Sequence, residues 1–363
     1  MLPAADGLSA ALPDFPWDAL IPYAQVARAH PDGVVDLSVG TPVDPTPEVA
    51  ARALAEASNA PGYPLTAGTP ALREAVAGWY GRCHGVTIEP GAVLPTIGSK
   101  ELVAWLPTLL RVRGPVVIPP LAYPTYEVGA RIAGCPVVRA AVPPATTPGL
   151  VWLNSPANPT GQVLSVAEQR AWVAYGRAHG VPVVSDECYL DLPWEGAEPR
   201  SLLHPEICDG DHTGLLAVHS LSKRSNLAGY RAAVVAGDPA LVAELLAVRR
   251  HAGMIVPRPV QAAMTAAYGD DAHVAVQRDR YGRRRKVLRE ALIGAGFRIE
   301  HSGAGLYLWA TRDEDCWETV AWLAERGVLV APGSFYGAAG GRHVRVALTA
   351  PDEAVDAVPA RLA

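Results

Sequence analysis

The sequence predicts an α/β protein, with a mostly parallel sheet flanked by helices in a large domain and a smaller α+β domain after it. Apolar, β-branched runs alternate with helical patterns through the middle of the chain, which is typical of parallel strands joined by crossover helices. The strand runs are continuously apolar, as expected when both faces of a sheet are covered. Near Pro239 this alternation gives way to long helical patterns.

The elements of the large domain follow from these runs. Strands are predicted, in chain order, at residues 93–97, 115–119, 150–154, 181–186, 215–221 and 231–237. Helices are predicted between them, at residues 100–111, 125–133 and 166–179. Ligands of such sheets bind beyond the carboxyl ends of strands. The polar residues at those ends, Asn154, Asp186 and the segment 220–223, are therefore candidates for a site.

The remainder of the chain predicts a different architecture. Helical patterns cover residues 241–251 and 260–295, with an interruption expected near Pro257 and Pro259. Short strands are expected at 305–310, 328–331 and 343–348, around one helix at 316–326. We therefore expect three units, which are an N-terminal arm (1–40) packing with the small domain, a large domain (41–245) and a small domain (246–363).

Composition and charge argue against a membrane protein and against binding to nucleic acid. No uninterrupted apolar stretch reaches the roughly 20 residues needed to span a bilayer. Residues 1–6 lack a basic segment followed by an apolar one, so we expect no secretory signal. The net charge of -5 gives no reason to expect nucleic acid or an acidic membrane surface as a partner.

The cysteines indicate neither a metal site nor a disulfide framework. They are scattered, without a Cys-x-x-Cys pair, at Cys83, Cys135, Cys188, Cys208 and Cys316. This usage fits a protein of the reducing cytoplasm. Cys188, near the candidate site, is interpreted as a small core residue rather than a nucleophile.

Lysine is rare in this chain, and one lysine stands in an informative place. The three lysines are Lys100, Lys223 and Lys286, whereas every other strong cation is arginine. An amine that forms Schiff bases cannot be replaced by arginine, because a guanidinium stays protonated. Lys286 ends the cationic run 283–286, which predicts a solvated helix face, and Lys100 opens a helical run, where a surface cation is common. Lys223 follows an apolar strand and small hydroxyl residues, where a functional amine would be delivered.

Other polar motifs also follow predicted strands. Asp186 ends a buried strand, where a carboxylate is costly unless it meets a cation. The turn Gly98-Ser99-Lys100 precedes a helix and is a weak signal for an anion site, because free backbone N–H groups and the helix dipole point there. Tyr123 supplies an aromatic ring after a strand. The polar segment 154–161 is compatible with an ordinary loop as well as with a site.

Together these residues describe a pyridoxal phosphate site, with a Schiff-base lysine, a buried aspartate, a phosphate cradle and an aromatic plate. The chain resembles the class I and II aminotransferases of fold type I across nearly its whole length. Seven motifs in the same order carry this resemblance: Tyr63 with Gly68 and Leu72-Arg73, Gly98-Ser99-Lys100, Tyr123, Asn158-Pro159-Thr160-Gly161, Asp186 with Tyr189, Ser220-x-Ser222-Lys223 with Arg231, and Arg345.

Several segments are similar to actinobacterial succinyldiaminopimelate aminotransferases of lysine biosynthesis. These segments are residues 12–18, 36–45, 209–213, 299–302 and 304–310. The resemblance implies glutamate and 2-oxoglutarate as one substrate pair and N-succinyl-2-amino-6-oxopimelate as amino acceptor. Arg258 departs from the pattern, because an apolar or small residue is expected there, and it is a candidate for reading the distal substrate groups.

The resemblance also implies roles around the cofactor ring. Lys223 would form the internal aldimine and shuttle a proton, and Asp186 would pair with the pyridine nitrogen. Asn158 and Tyr189 would hydrogen-bond the phenolic oxygen and tune the pKa of the imine. Tyr123 would stack on the ring.

The remaining implied roles concern the phosphate and the substrate. Phosphate would be held by Ser99 with the backbone of Gly98 and Lys100, by Ser220 or Ser222, and by Arg231. Arg345 would bind the substrate α-carboxylate as a bidentate fork, with Asn158 and the Gly40 amide nearby. Tyr63 would reach the phosphate of a neighbouring subunit, so we expect a homodimer with shared active sites.

Plainer interpretations remain open at this point. Tyr123 and Tyr189 could be packing residues, and Arg345 could be an exposed strand cation. The fold also supports β-lyases, decarboxylases and acyl-transferring synthases, and the chain could act on another amino acid, including one of secondary metabolism. A binding module without turnover is the alternative of a different class, against which the combination of Lys223, Asp186 and Arg231 argues.

Overall fold

The computed structural model describes residues 7–194 and 196–363, so the first six residues of the expected arm lie outside the described residues. Its strands are β1 (Val35–Asp36), β2 (Val93–Ile97), β3 (Val116–Ile118), β4 (Val137–Arg139), β5 (Leu150–Asn154), β6 (Val183–Asp186), β7 (Leu215–Ser220), β8 (Ala232–Gly237), β9 (Arg298–Glu300), β10 (Tyr307–Thr311), β11 (Val328–Leu329), β12 (Ala331–Pro332) and β13 (Val344–Ala347).

The helices alternate with these strands in the first two thirds of the chain. They are α1 (Ile21–Arg28), α2 (Glu48–Glu56), α3 (Pro70–His84), α4 (Ser99–Leu109), α5 (Thr125–Ile132), α6 (Val166–His179), α7 (Pro205–Cys208), α8 (Leu221–Arg224), α9 (Pro239–Ala252), α10 (Arg258–Gly269), α11 (Ala272–Gly294), α12 (Cys316–Glu325) and α13 (Asp352–Leu362).

A seven-stranded sheet in the order β2-β8-β7-β6-β5-β3-β4 forms the centre of the fold. Strands β7, β6, β5, β3 and β4 run parallel, and β8 is antiparallel to both of its neighbours. The prediction of a mostly parallel sheet flanked by helices is confirmed.

The strand β5 shows why the sheet sequences are continuously apolar. Leu150 and Trp152 belong to one buried cluster and Val151 and Leu153 to another, because successive side chains of a strand point to opposite faces. Helices α4, α5 and α9 cover one face, and α3, α6 and α10 cover the other. Both faces are therefore core, as the continuous apolar runs predict.

The sheet topology brings several chain segments to one edge. The carboxyl ends of β5, β6 and β7 lie side by side because these strands are parallel neighbours. Strand β8 runs the opposite way, so its first residues lie at the same edge, and β2, antiparallel to β8, ends there. Asn154, Asp186, Ser220, Arg231 and Gly98 are thus gathered by topology alone.

The second part of the chain forms an antiparallel sheet in the order β12-β13-β10-β9. Helices α11, α12 and α13 pack on it, and α1 and β1 from the N-terminal segment pack against α12 and β11. No helix among the described residues is long and apolar enough to cross a membrane.

Some predicted bounds differ from the structure. The predicted strand 328–331 is divided at Val330 into β11 and β12, and the helical stretch 260–295 is divided at Asp270 and Asp271. Pro259 lies in the first turn of α10, where a missing N–H costs no helical hydrogen bond.

Helix α10 does not pack as its place in the sequence suggests. It lies beyond the expected boundary at residue 246, yet Ala263, Met264 and Ala267 are buried in the cluster on the large sheet. It packs against α2 and α3. The division into 41–245 and 246–363 stays a prediction.

The cationic run 283–286 is not the uniformly solvated helix face that was predicted. Arg283 and Lys286 are exposed, but Arg284 is 2% exposed. The helix period turns one residue of such a run inward, and Arg284 meets Asp44 and Asp352 there, each at 2.6 Å.

Candidate active site

A cavity of about 490 Å³ opens at the edge where the strand ends meet. The strand ends, the N-terminal segment and the smaller sheet all contribute to its lining, which consists of Phe15, Trp17, Val39, Gly40, Thr41, Ser99, Lys100, Tyr123, Tyr126, Asn154, Asn158, Asp186, Cys188, Tyr189, Ser220, Ser222, Lys223, Ala228, Arg231, Tyr307 and Arg345. Most of the predicted site residues are therefore in one place.

Lys223 reaches this cavity from the short helix α8, which follows β7 directly. Ser220 begins the helix, because its Oγ accepts a hydrogen bond of 3.1 Å from the Ser222 amide. The Lys223 ammonium donates to the Gly40 carbonyl. Burial, with Arg345 and Arg231 nearby, lowers the pKa of the Lys223 amine, which favours the neutral form, and only the neutral form can act as nucleophile or base.

Asp186 lies at the end of β6 and is 7% exposed. Its carboxylate accepts hydrogen bonds from the Tyr126 hydroxyl at 2.8 Å and from the Cys188 amide at 3.2 Å. Burial raises the pKa of the Asp186 carboxyl. The cation expected beside it is not a side chain of the described residues, so a cationic ligand would complete this site.

Arg345 enters the cavity from β13 and is 2% exposed, so it is not a solvent-exposed strand residue. One terminal nitrogen donates to the Asn158 side-chain oxygen at 3.0 Å and the other to the Ser38 carbonyl at 2.7 Å. The guanidinium lies 4.0 Å from the Tyr307 ring centroid. No carboxylate of the described residues pairs with it, which leaves a buried cation available to an anionic ligand.

Asn158 is held in place by the segment that follows β5. The Asn154 side-chain oxygen accepts a 2.7 Å hydrogen bond from the Asn158 amide, and its nitrogen donates to the Asp186 carbonyl at 2.9 Å. The polar segment 154–161 thus connects β5, β6 and Arg345 and is more than an ordinary loop.

A cradle for an anion lies at the start of α4. Gly98 has a φ of 77°, and a Cβ at this position would collide with the Arg231 guanidinium. The helix begins at Ser99 with free N–H groups, and the Ser220 and Ser222 hydroxyls line the same cavity. This combination of a helix N-terminus, hydroxyls and a guanidinium suits a phosphate group.

The remaining predicted residues are distributed as follows. Tyr123 lines the cavity in edge-to-face contact with Tyr126, and the Tyr189 hydroxyl lies 3.2 Å from that of Tyr307. A Cβ at Gly40 would collide with Tyr307, so this close approach requires glycine. Tyr63 is fully exposed and lies outside the cavity lining.

Arg258 and the other two lysines are also located by the structure. Arg258 begins α10, is exposed, and is outside the lining of the cavity. Lys286 is exposed on α11, as predicted, and the exposed side chain of Lys100 lies at the cavity.

Sequence reasoning missed four aromatic residues of the cavity. Tyr126 lies three residues after Tyr123, and a turn in which its amide donates to the Tyr123 carbonyl at 3.1 Å brings the two rings into contact. Tyr307 lies in a buried strand with no local signal for a site. Phe15 and Trp17 stand in a Pro-rich segment, where two aromatic residues in close succession were the available signal.

These residues fit pyridoxal phosphate. Among the described residues, the buried Asp186 has no cationic partner and the half-buried Lys223 has no anionic one, and the Gly98 cradle would be filled by a Cβ. When bound, this cofactor supplies an electron sink for a carbanion at the substrate α-carbon.

Comparison with known proteins points to the same class of cofactor-dependent enzyme. The family model described as "Aminotransferase class I and II" matches residues 32–362. A probable aminotransferase of Mycobacterium tuberculosis is 62% identical, with 99% of this chain and 87% of that protein covered. The 4-dedimethylamino-4-oxo-anhydrotetracycline transaminase OxyQ of Streptomyces rimosus is 59% identical, with 97% and 99% covered.

More distant relatives are also aminotransferases. An LL-diaminopimelate aminotransferase of Dehalococcoides mccartyi is 31% identical, with 93% of this chain and 92% of that protein covered. The crystal structure of an aminotransferase from Neisseria meningitidis superposes with a TM-score of 0.88 at 29% identity, covering 99% of both chains. The chain therefore belongs to the class I and II aminotransferases and is a pyridoxal-phosphate-dependent enzyme of fold type I.

Proposed function

We propose that this aminotransferase transfers the amino group of glutamate to N-succinyl-2-amino-6-oxopimelate, in the pathway to diaminopimelate and lysine. The observation that carries transamination of an α-carboxylate substrate is Arg345, a buried guanidinium that no carboxylate of the described residues neutralises. Every amino acid and oxo acid substrate of such a reaction brings an α-carboxylate that this group can bind through charge-assisted hydrogen bonds.

The positions of the other cavity residues support the following roles. The Lys223 amine, whose pKa burial lowers, would in its neutral form take up the proton removed from the substrate α-carbon. Asp186 would hold a proton on the pyridine nitrogen of the cofactor, Asn158 and Tyr189 would hydrogen-bond the ring oxygen, and Tyr123 would cover the ring. The phosphate would be held by Ser99 with the Gly98 and Lys100 amides, by Ser220 or Ser222, and by Arg231.

Lys100 supports recognition of a distal carboxylate better than Arg258 does. The Lys100 ammonium lies on the cavity, 5.9 Å from the Phe15 ring centroid. It forms no ion pair within the ranges that the structure describes, whereas the cations deeper in the cavity are assigned to the cofactor and the α-carboxylate. A long acceptor with a second carboxylate would reach the Lys100 side chain at the mouth.

A homodimer with shared sites is part of the proposal. Tyr63 is fully exposed and outside its own cavity, which supports contact with the phosphate of a neighbouring subunit. Mixed dimers of Tyr63→Phe and Lys223→Ala subunits test this arrangement. Each mixed dimer contains one cavity with both native residues, so activity should exceed that of either parent; activity no higher than the parents' would contradict sharing.

A second candidate is transamination of a cyclic ketone or another oxo compound in secondary metabolism. It is favoured by the 59% identity to the 4-dedimethylamino-4-oxo-anhydrotetracycline transaminase over nearly the full length of both chains. The aromatic mouth formed by Phe15 and Trp17 is compatible with such an acceptor.

A two-substrate assay decides between these candidates. Glutamate is paired with a panel containing the succinylated acceptor, aromatic and branched oxo acids, and polycyclic ketones, and kcat/KM is compared. The proposal expects the succinylated acceptor to be preferred. Faster turnover of aromatic, branched or cyclic acceptors would overturn the lysine-pathway assignment.

The distal contact is tested with a matched pair of variants. Lys100→Met should raise the KM of the succinylated acceptor more than that of alanine used as amino donor, since alanine has no distal carboxylate. Arg258→Ala serves as the control and should change neither constant. Equal effects of Lys100→Met on both substrates would remove this side chain from distal recognition.

A further inference from the structure

A buried ion cluster lies beside the Lys223 helix and has no part in the roles described above. Asp191 is its centre, because its two oxygens contact His84 Nε2 at 3.2 Å and His219 Nε2 at 3.1 Å. The Arg224 Nε lies 3.6 Å from the same carboxylate. Arg224 is 1% exposed and the Asp191 side chain is 9% exposed. Arg224 and Asp191 therefore form an interior ion pair.

Arg224 is also held by two aromatic rings. Its guanidinium carbon lies 5.3 Å from the Trp79 ring centroid and 5.6 Å from that of Tyr268. These rings belong to α3 and α10, which cover the sheet. The half-exposed Asp271 carboxylate lies 4.0 Å from a terminal nitrogen of Arg224. Asp191 is therefore the buried partner of this cation.

The cluster includes residues on both sides of Lys223 in the chain. His219 is the last residue but one of β7, and Arg224 ends α8 directly after the lysine. Burial raises the pKa of the Asp191 carboxyl, but Arg224, His219 and His84 hold it well below its usual range. Asp191 is thus an anion, and loss of its charge would leave a buried cation without its partner.

We propose that Asp191 and Arg224 are positioning residues, which fix the segment around α8 so that the Lys223 amine is presented to the cavity in one orientation. The inference rests on the role of Lys223 proposed above and is independent of the amino acceptor. A four-residue helix has little rigidity of its own, and small displacements of a reacting group cost large factors in rate.

The test uses the cofactor-loaded enzyme with Asp191→Asn, which keeps the side-chain shape and removes the charge. We expect the visible circular dichroism of the bound cofactor to lose amplitude, because Lys223 would no longer hold the cofactor in one orientation. In the half-reaction with glutamate, kcat should fall by about 100-fold with KM nearly unchanged, since Arg345 still binds the substrate.

Two further variants separate positioning from stability. Leu288→Ala, in the core under the smaller sheet, should lower the melting temperature and leave the dichroism and kcat as in the native enzyme. Arg224→Lys should restore dichroism and kcat relative to Arg224→Met, because it retains the charge, and this pair carries the test if Asp191→Asn does not fold. Native dichroism and kcat in Asp191→Asn, or in Arg224→Met, would overturn the proposal, whatever the outcome with the succinylated acceptor.

Discussion

Two regions of the interior contain buried charges, and their partners differ. In the cavity, the hydrogen-bond partners of Lys223, Asp186 and Arg345 within residues 7–194 and 196–363 are carbonyls, an amide, a hydroxyl and the side-chain oxygen of Asn158. At the junction of α11 and α13, by contrast, Arg284 forms ion pairs of 2.6 Å with both Asp44 and Asp352.

The difference indicates what each region is for. A buried charge is costly unless an opposite charge compensates it. Arg284 has its compensation within the protein, so it serves the fold. The three cavity charges lack compensation among the described residues, so their partners are expected from cofactor and substrate.

The largest effect is expected for Lys223→Ala, which removes the cavity amine. Turnover should be abolished, because neither Lys100 nor Lys286 is buried in the cavity to replace it, while cofactor still binds through the phosphate cradle. Single-turnover absorbance with glutamate measures this loss. Residual turnover near the native rate would show that Lys223 is not the reacting amine.

Asp186→Asn should lower kcat by orders of magnitude with the fold retained. An asparagine side chain offers no negative charge to a protonated ring nitrogen, so the electron sink would weaken. Rates are compared on purified enzyme with equal cofactor content. A rate close to native would exclude Asp186 from this role.

Arg345→Lys should weaken the binding of every substrate, because an ammonium cannot form the two parallel hydrogen bonds of a guanidinium. A loss of about 2 kcal/mol, or roughly 30-fold in kcat/KM, is expected for donor and acceptor alike. If only one of the two substrates were affected, Arg345 would be reading something other than the common α-carboxylate.

Arg284→Met should affect catalysis least and stability most. It leaves Asp44 buried without its partner, so the free energy of unfolding should fall by about 3 to 5 kcal/mol. Chemical denaturation measures this, and the double variant with Asp44→Asn should recover part of the loss. A drop in kcat/KM larger than that of Arg345→Lys, at native stability, would contradict the distinction between the two arginines.

The same pair should produce an acid-sensitive contribution to stability. Burial raises the pKa of Asp44, but hydrogen bonds from Arg284 and Gln277 hold it below its usual 3.8. The contribution is therefore present above pH 3.8 and is lost as the pH falls through the lowered pKa. Its loss on acidification should be absent in the Arg284→Met, Asp44→Asn protein.

Local patterns predicted much of the fold. Residues 150–154 and 166–179 form β5 and α6 with the predicted bounds, since a continuous apolar run and a Ser165–Glu168 capping box specify them. The division of 328–331 at Val330 was not predictable, because it depends on pairing with β1 on one side and β13 on the other.

The site was predictable where chemistry limits the residue type. The rarity of lysine singled out Lys223 and the strand-end position singled out Asp186, and both line the cavity. Tyr126 and Asp191 were missed because their importance depends on contacts that sequence spacing does not reveal. Arg284 was misread for the same reason, since its partner Asp44 lies 240 residues away in the chain.

The central claim is that Lys223 is the amine that bonds to the cofactor, and borohydride reduction of the loaded enzyme tests it most directly. Reduction makes that bond permanent, and peptide mapping by mass spectrometry then locates it. The account predicts the label on the peptide containing Lys223 and on no other. A label on Lys100 or Lys286 instead would contradict it.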